Sequence, residues 1–341
     1  MDANESELVT PIKVCRVCQC GGIAPILNFG SMPLANRYLS KPTDEEMRAP
    51  LEVVLCKNCG CVQLAHTVDP KVLFSDYCYT SSTSGSLALH FAQYAKDTVV
   101  KLNLKPGKDF IVGIGGNDGP LELAFQQMGF KVTNVEPSGN IAALSVANGV
   151  PTLNHWFTQD LAERIVKEHG TASLITCNNC FAHMPDIHGV VEAIKVLLKP
   201  GGWFVTEEGY WLDAVKGNHF DRIYHEHVFY WTVRALNWLF HLHGMDILDV
   251  EHNNSQGGSI RVFVQSDMGI FHPSIDRELE RESTSGLFNP TTYAEWNQRI
   301  HDWRDICWAF LNPLTSLSAY GAPAKFTMLS EQLGFTPQEI A

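Results

Sequence analysis

The chain has 341 residues, too many for one average domain and enough for two or three. Its net charge of −12, with no long basic run, argues against a nucleic-acid partner, because phosphate backbones repel an acidic surface. No apolar run approaches the roughly 20 residues that span a bilayer, and Met1–Thr10 is too polar and acidic for a signal sequence. The expectation is therefore a cytoplasmic protein without a membrane partner, whose ten cysteines are thiols or metal ligands and not a disulfide framework.

In chain order, residues 11–66 read as loop-rich and hold six of the ten cysteines. Cys15/Cys18 and Cys56/Cys59 form two Cys-x-x-Cys pairs. Each pair can bite one tetrahedral ion with both sulfurs, and two pairs complete a Cys₄ shell, so these four are the expected ligands of a structural Zn²⁺. A redox pair opens a helix in a βαβ context, which neither pair does. Four thiols without metal are the alternative. Cys20 and Cys61 follow the pairs by two residues and are spare candidates.

A hydroxyl-rich linker, Tyr79–Ser86, leads into a helix over 87–102, with Leu87, Phe91, Tyr94, Ala95, Val99 and Leu102 on one face. Strands are then expected at 110–112, 132–135, 174–176 and 203–206, and helices at 121–128, 138–147 and 188–198. This alternation predicts a Rossmann-like α/β fold, a parallel sheet with helices on both faces. A helix at 232–243 and two strands at 247–250 and 259–265, joined by the turn Asn253–Gly258, would add an antiparallel pair. A Trp-rich helix over 292–312 follows. Ser318–Tyr320 and the turn Gly321–Lys325 read as the start of a partial C-terminal strand–turn–helix unit.

The turn Gly113-Ile114-Gly115-Gly116-Asn117-Asp118-Gly119 leaves the first core strand and opens a helix. Glycines there let the backbone approach a ligand closely. A dinucleotide fingerprint would place its third Gly at 118, which is Asp. Glu136 ends the next strand, where a carboxylate accepts from both hydroxyls of an unphosphorylated ribose, as in S-adenosylmethionine or NAD. The candidate cofactor-binding residues are therefore Gly115, Asn117, Asp118, Gly119, Glu136 and Pro137. Asn178 and Asn179 join them at the end of the third strand, Asn178 facing the amino-acid part of the cofactor. A packing turn and a capped loop are the bland alternatives.

The densest titratable stretch is His219–His227. His is the usual general base near neutral pH. His225 and His227 are two apart, whereas a helical zinc motif sets its histidines four apart. Catalysis is thus the better reading of the cluster, against the alternative of hydrogen-bonded structural histidines.

These motifs resemble one family over nearly the whole chain, the bacterial nucleotide-sugar C-methyltransferases. The similarity is carried by the paired Cys-x-x-Cys module, Tyr77–Ser82, Gly115–Gly119, Glu136–Ser138 and Asn179–His183. It continues through Tyr224-His225-Glu226-His227, Gly257–Arg261 and Tyr320–Lys325. The resemblance implies three parts: a zinc-binding domain over 1–75, an S-adenosylmethionine-dependent core over 76–285 and a shortened C-terminal segment over 286–341. It also implies a small-molecule substrate, a sugar nucleotide, held between them. By the family pattern His227 removes a proton from the carbon beside a ketone, while Tyr79, His183, Tyr224 and Glu226 line the sugar and steady the enolate. Such a carbon acid needs a positioned base and donors for the growing oxyanion; the methyl donor needs only alignment. Three departures stand out, the shortening of the C-terminal domain to its opening motif being the most serious. Gly113 occupies a position where the family usually has an acid, leaving open how the methionine amino group is held, and Phe326 stands where a Gly is usual. Rival readings are an O- or N-methyltransferase and a catalytically inactive cofactor-binding protein. The exposed start of an incomplete C-terminal sheet leaves room for a homodimer contact.

Overall fold

The computed structural model describes residues 8–41, 43–266, 271–314 and 316–335. The outer ends of the expected first and third parts, residues 1–7 and 336–341, lie outside the described residues. The N-terminal region holds β1 (Val9–Pro11), β2 (Ile23–Pro33), β3 (Arg48–Cys56), β4 (Val62–Leu64), β5 (His66–Val68) and α1 (Pro70–Phe74). Residues 11–66 are rich in loops, as expected, but they also hold two long strands, β2 and β3, that the sequence did not signal. Strands β2 and β3 pair over eight positions with two bulges, between Pro25 and Leu27 and between Asn28 and Ser31.

The core begins with α2 (Gly85–Lys101) and β6 (Phe110–Ile114), then α3 (Pro120–Gln127), β7 (Lys131–Val135), α4 (Gly139–Ala147), β8 (Thr152–Leu153) and α5 (Gln159–His169). It continues through β9 (Ala172–Asn178), α6 (Ile187–Leu197), β10 (Leu198–Gly209), α7 (Trp211–Lys216), β11 (Phe229–Tyr230) and α8 (Val233–Leu242). It closes with β12 (Asp246–Asn253) and β13 (Ser259–Gln265). The sheet order is β12-β13-β10-β9-β6-β7-β8. The five strands from β10 to β8 are parallel, and β13 runs antiparallel to both β10 and β12. The chain leaves β6 in one direction, through β7 to β8, and returns on its other side at β9. The carboxyl ends of β6 and β9 therefore flank the crevice where ligands bind in open α/β sheets.

Strand side chains alternate between faces, and the core follows this residue by residue. Ile111, Leu174, Val205 and Phe263 pack with Leu87, Phe91 and Phe125 of α2 and α3. Their neighbours Val112, Ile175, Phe204 and Val262 pack on the other face, against Ile165, Ile194 and Leu239 of α5, α6 and α8. That second cluster runs on without a break into Val53, Leu55, Val62 and Leu64 of the N-terminal sheet. The joint is also made by the backbone: β11 pairs with β4, completing a four-stranded sheet β11-β4-β3-β2.

Beyond the sheet come α9 (Ser274–Thr284), α10 (Pro290–Leu311) and α11 (Ala324–Leu333). Trp296 of α10 meets Trp211 edge-on at 5.1 Å and donates to Asn218 Oδ1. Arg48 of β3 pairs with Glu331 of α11. The strand expected at Ser318–Tyr320 does not form; that stretch is irregular, with no partner strand beside it among the described residues. No described helix is long and apolar enough to cross a membrane.

Candidate active site and metal centre

The four sulfurs of Cys15, Cys18, Cys56 and Cys59 all lie within 4.8 Å of one another. Cys15 and Cys59 are 3.6 Å apart, and Cys18 and Cys56 are 3.5 Å apart. Sulfur–zinc bonds of about 2.3 Å in a tetrahedron give ligand edges of about 3.8 Å, so the shell fits zinc with little movement. Both turns close in the same way: Cys15 N donates to Cys20 O, and Cys56 N to Cys61 O. Gly60 takes a left-handed φ of 75° in the second turn. Gln63 Nε2 donates to Cys15 Sγ at 3.1 Å, an outer contact suited to a thiolate. Cys20 is exposed and Cys61 is buried; neither belongs to the four-sulfur group.

A cavity of about 940 Å³ opens at the carboxyl ends of β6, β7, β9 and β10. Its walls come from all three regions of the chain: Asn36 and Tyr38; Phe74, Tyr77 and Tyr79; the core loops; and Lys325. The cofactor end is built on the glycine turn. Gly115 sits at φ 62°, and a Cβ there would lie 2.9 Å from Cys180 Cβ, so only glycine brings the ends of β6 and β9 this close. Asn117, also left-handed, donates through Nδ2 to Tyr79 O at 3.1 Å, tying the linker to the turn. Glu136 accepts from Asn117 N and Ser138 N, and its carboxylate lines the cavity beside Pro137. Burial raises its pKa.

The expected cofactor residues divide into two groups. Gly115, Asn117, Glu136, Pro137, Asn178 and Asn179 line the cavity. Asp118 and Gly119 do not; they build the loop. Asp118 Oδ1 accepts from Ser81 N and Ser82 N, and Gly119, at φ 83°, leads into α3. Asn178 spends its Oδ1 on Glu207 N at 2.9 Å.

The opposite wall is a column of rings. His183 stacks on Phe74 at 5.5 Å and on His227 at 5.0 Å, and Tyr224 lies 4.1 Å from His227 between ring centres. His227 Nδ1 donates to Arg222 O at 2.8 Å, which leaves Nε2 with its lone pair. Burial, opposed by that hydrogen bond and assisted by the Arg222 and Lys325 charges, lowers the His227 pKa to about 4. The ring is therefore neutral and basic at pH 7. Burial likewise lowers the pKa of His183, whose Nε2 has no partner among the described residues. Glu226 is buried and accepts from Asn36 Nδ2 at 2.7 Å and Tyr77 OH at 2.8 Å; burial raises its pKa to about 7. Tyr79 is partly exposed at the cavity mouth. His225 faces away, donating through Nε2 to Ala49 O.

Several residues of this site carry no local sequence signal. Asn36 and Tyr77 reach Glu226 across 190 and 149 positions. Arg222 leaves Nη2 unpartnered among the described residues at the cavity edge, near Lys325. Glu208 also lines the cavity but is satisfied by Cys180 N and Phe181 N.

A glycine turn at the switch of a seven-strand sheet with this order, and an acid at the end of the next strand, define an S-adenosylmethionine-dependent methyltransferase. Family comparisons agree. A methyltransferase-domain model matches residues 89–250, a zinc-binding-domain model 15–74 and a C-methyltransferase C-terminal-domain model 254–341. The C-methyltransferase NovU of Streptomyces niveus is 35% identical over 343 residues, spanning 98% of this chain and 81% of that protein. The chain belongs to this C-methyltransferase family. A ubiquinone biosynthesis O-methyltransferase of Bordetella avium is 35% identical over 96 residues, 27% of this chain and 38% of that one. A methyltransferase structure from Clostridium acetobutylicum superposes with a TM-score of 0.41 at 11% identity, covering 53% of this chain and 91% of that one.

Proposed function

We propose that the protein methylates a carbon next to a ketone, the acceptor being an NDP-4-keto-deoxysugar, in a cytoplasmic pathway. The observation that carries the reading is His227: a neutral ring, fixed by Arg222 O, with a free Nε2 facing a cavity shared by all three regions. S-adenosylmethionine supplies an activated sulfonium methyl when bound. The chain must do the rest. His227 Nε2 accepts the proton from the carbon acid. His183, stacked on the base, and Tyr224, tilted against it, are the donors to the enolate oxygen. Glu226 anchors the Tyr77 hydroxyl and so sets the linker that carries Tyr79 at the mouth. Arg222 and Lys325 supply positive charge at the cavity edge on the His227 side, which suits a diphosphate. The Cys15, Cys18, Cys56 and Cys59 shell holds zinc for structure. We take the three parts to be 1–75, 76–285 and 286–341, each of which supplies residues to the cavity.

The test is incubation of the zinc-loaded protein with S-adenosylmethionine and an NDP-4-keto-6-deoxyhexose, followed by mass and NMR analysis. A new C–CH₃ beside the ketone, with hydrogen–deuterium exchange of that C–H in heavy water, supports the reading. A methyl ether product means O-methylation. No transfer in protein that binds the cofactor means an inactive binding protein.

A further inference from the structure

Gly113 has an ordinary φ, so its lack of a side chain is a matter of space. An added Cβ would lie 2.6 Å from Glu122 Cδ and closer still to Oε1. At Gly116 an added Cβ would come within 2.8 Å of Glu122 Oε2. Two glycines thus clear a slot on β6 and its turn, and a carboxylate from the first turn of α3 fills it. Glu122 is 1% exposed, and its Oε2 has no hydrogen-bond partner among the described residues. Glu136 and Asp118 are the charged groups that act on it, and both are negative. Burying an unpaired carboxylate is costly unless a cation or donor joins it. Glu122 borders a void of about 30 Å³, which shares Ser81, Gly115, Asn117 and Asn178 with the large cavity.

We infer that Glu122 is the residue that holds the methionine ammonium of the cofactor, its carboxylate being admitted to the strand end by Gly113 and Gly116. S-adenosylmethionine carries two cationic centres. The sulfonium has no N–H and must face the acceptor; the ammonium has three donors and seeks an acceptor. The other carboxylates around the turn are already engaged. Asp118 accepts from Ser81 N and Ser82 N, and Glu136 from Asn117 N and Ser138 N at the end of β7, where ribose hydroxyls are read. The acid that the resemblance places at 113 is thus transposed to 122. Burial pushes the Glu122 pKa up to about 7 in the free protein, so an arriving ammonium also settles its charge. The inference rests on the cofactor of the family and is independent of the acceptor's identity.

The experiment is calorimetry on zinc-loaded protein with S-adenosylhomocysteine, its desamino analogue and 5′-methylthioadenosine, which lacks the amino-acid tail. For Glu122→Gln the expected result is a loss of about 10- to 100-fold for S-adenosylhomocysteine. The affinities of the other two ligands should hold within about twofold. Unchanged S-adenosylhomocysteine binding, or an equal loss for all three ligands, overturns the assignment. Gly113→Asp/Glu122→Ala returns the carboxylate to the strand and gives the second arm. Recovery of S-adenosylhomocysteine binding to within about threefold of wild type is expected; binding no tighter than that of the desamino analogue overturns the inference. Because no acceptor is present, these outcomes are separate from those of the carbon-methylation test.

Discussion

Substituting Asn for His227 removes the proposed base while keeping a nitrogen donor near the position of Nδ1, so the bond to Arg222 O can survive. Loss of a general base costs about 10²- to 10⁴-fold in rate, or about 3–5 kcal/mol on the barrier. The pH profile is the sharper measure. A base with the ordinary histidine pKa near 6.5 would lose about tenfold in kcat/KM between pH 7.5 and 5.5. With the His227 pKa near 4, about 97% of the ring is still the free base at pH 5.5, and the rate should barely change. Glu226, buried behind the wall on Asn36 and Tyr77, has a pKa raised to about 7 and can add its own limb, so the profile is run in wild type and in Glu226→Gln. The expected result is an acid limb near pH 4 in Glu226→Gln, read from release of S-adenosylhomocysteine. A limb near 6.5 in that variant, or His227→Asn within about threefold of wild type, refutes His227 as a buried base.

Glu226→Gln also changes stability. A carboxyl whose folded pKa is raised from 4.5 to about 7 binds its proton more tightly in the folded state, so its contribution is fully present below pH 4.5 and is lost as pH rises to 7. The variant should therefore gain on wild type by up to about 3 kcal/mol between pH 4.5 and 7.5 in urea unfolding, and parallel pH slopes would contradict this. Gly113→Ala drives a methyl into the Glu122 carboxylate and should cost about 1–3 kcal/mol, with much of the loss recovered in Gly113→Ala/Glu122→Ala. Cys56→Ser should lose its zinc by metal analysis and lower the melting temperature. It should abolish methyl transfer while leaving S-adenosylhomocysteine binding largely in place, since the cofactor turn stands on β6 and β7.

The core was legible where the period was clean. Phe110–Ile114 is a short apolar run ahead of a glycine turn, Lys131–Val135 and Ala172–Asn178 carry β-branched and apolar residues between turn signals, and the helices that follow them repeat apolar residues at helical spacing. Helix α5 had the same signal, with Leu161, Ala162 and Ile165 buried, and was missed. The N-terminal sheet was hidden by its own irregularity: β2 contains Pro25, Gly30 and Pro33, and its two bulges break the alternation. At Ser318–Tyr320 a local β signal had no partner to pair with. The metal shell could be read because ligand spacing is local. Glu122 could not, because a glycine at 113 reads as a missing group until the side chain nine positions on is seen in its place.

The turn Tyr224–His227 explains why a zinc module belongs to this enzyme. His227 N donates to Tyr224 O, and the tight turn splays three consecutive side chains to three destinations. His225 Nε2 reaches Ala49 O on β3, Glu226 reaches Asn36 and Tyr77, and His227 enters the cavity. Two residues later the chain becomes β11 and pairs with β4, whose neighbour β3 ends at Cys56. His227, the proposed base, is therefore held from both sides, by the Arg222 carbonyl and by the strand β11 that follows it. A base displaced by an ångström loses most of its advantage, and the two strands of that sheet that lead to His227, β4 and β11, are only three and two residues long. On the proposed mechanism, a closed Cys₄ shell at the end of β3 would brace these short strands, so the ion would stabilise the position of the proposed base without touching the substrate.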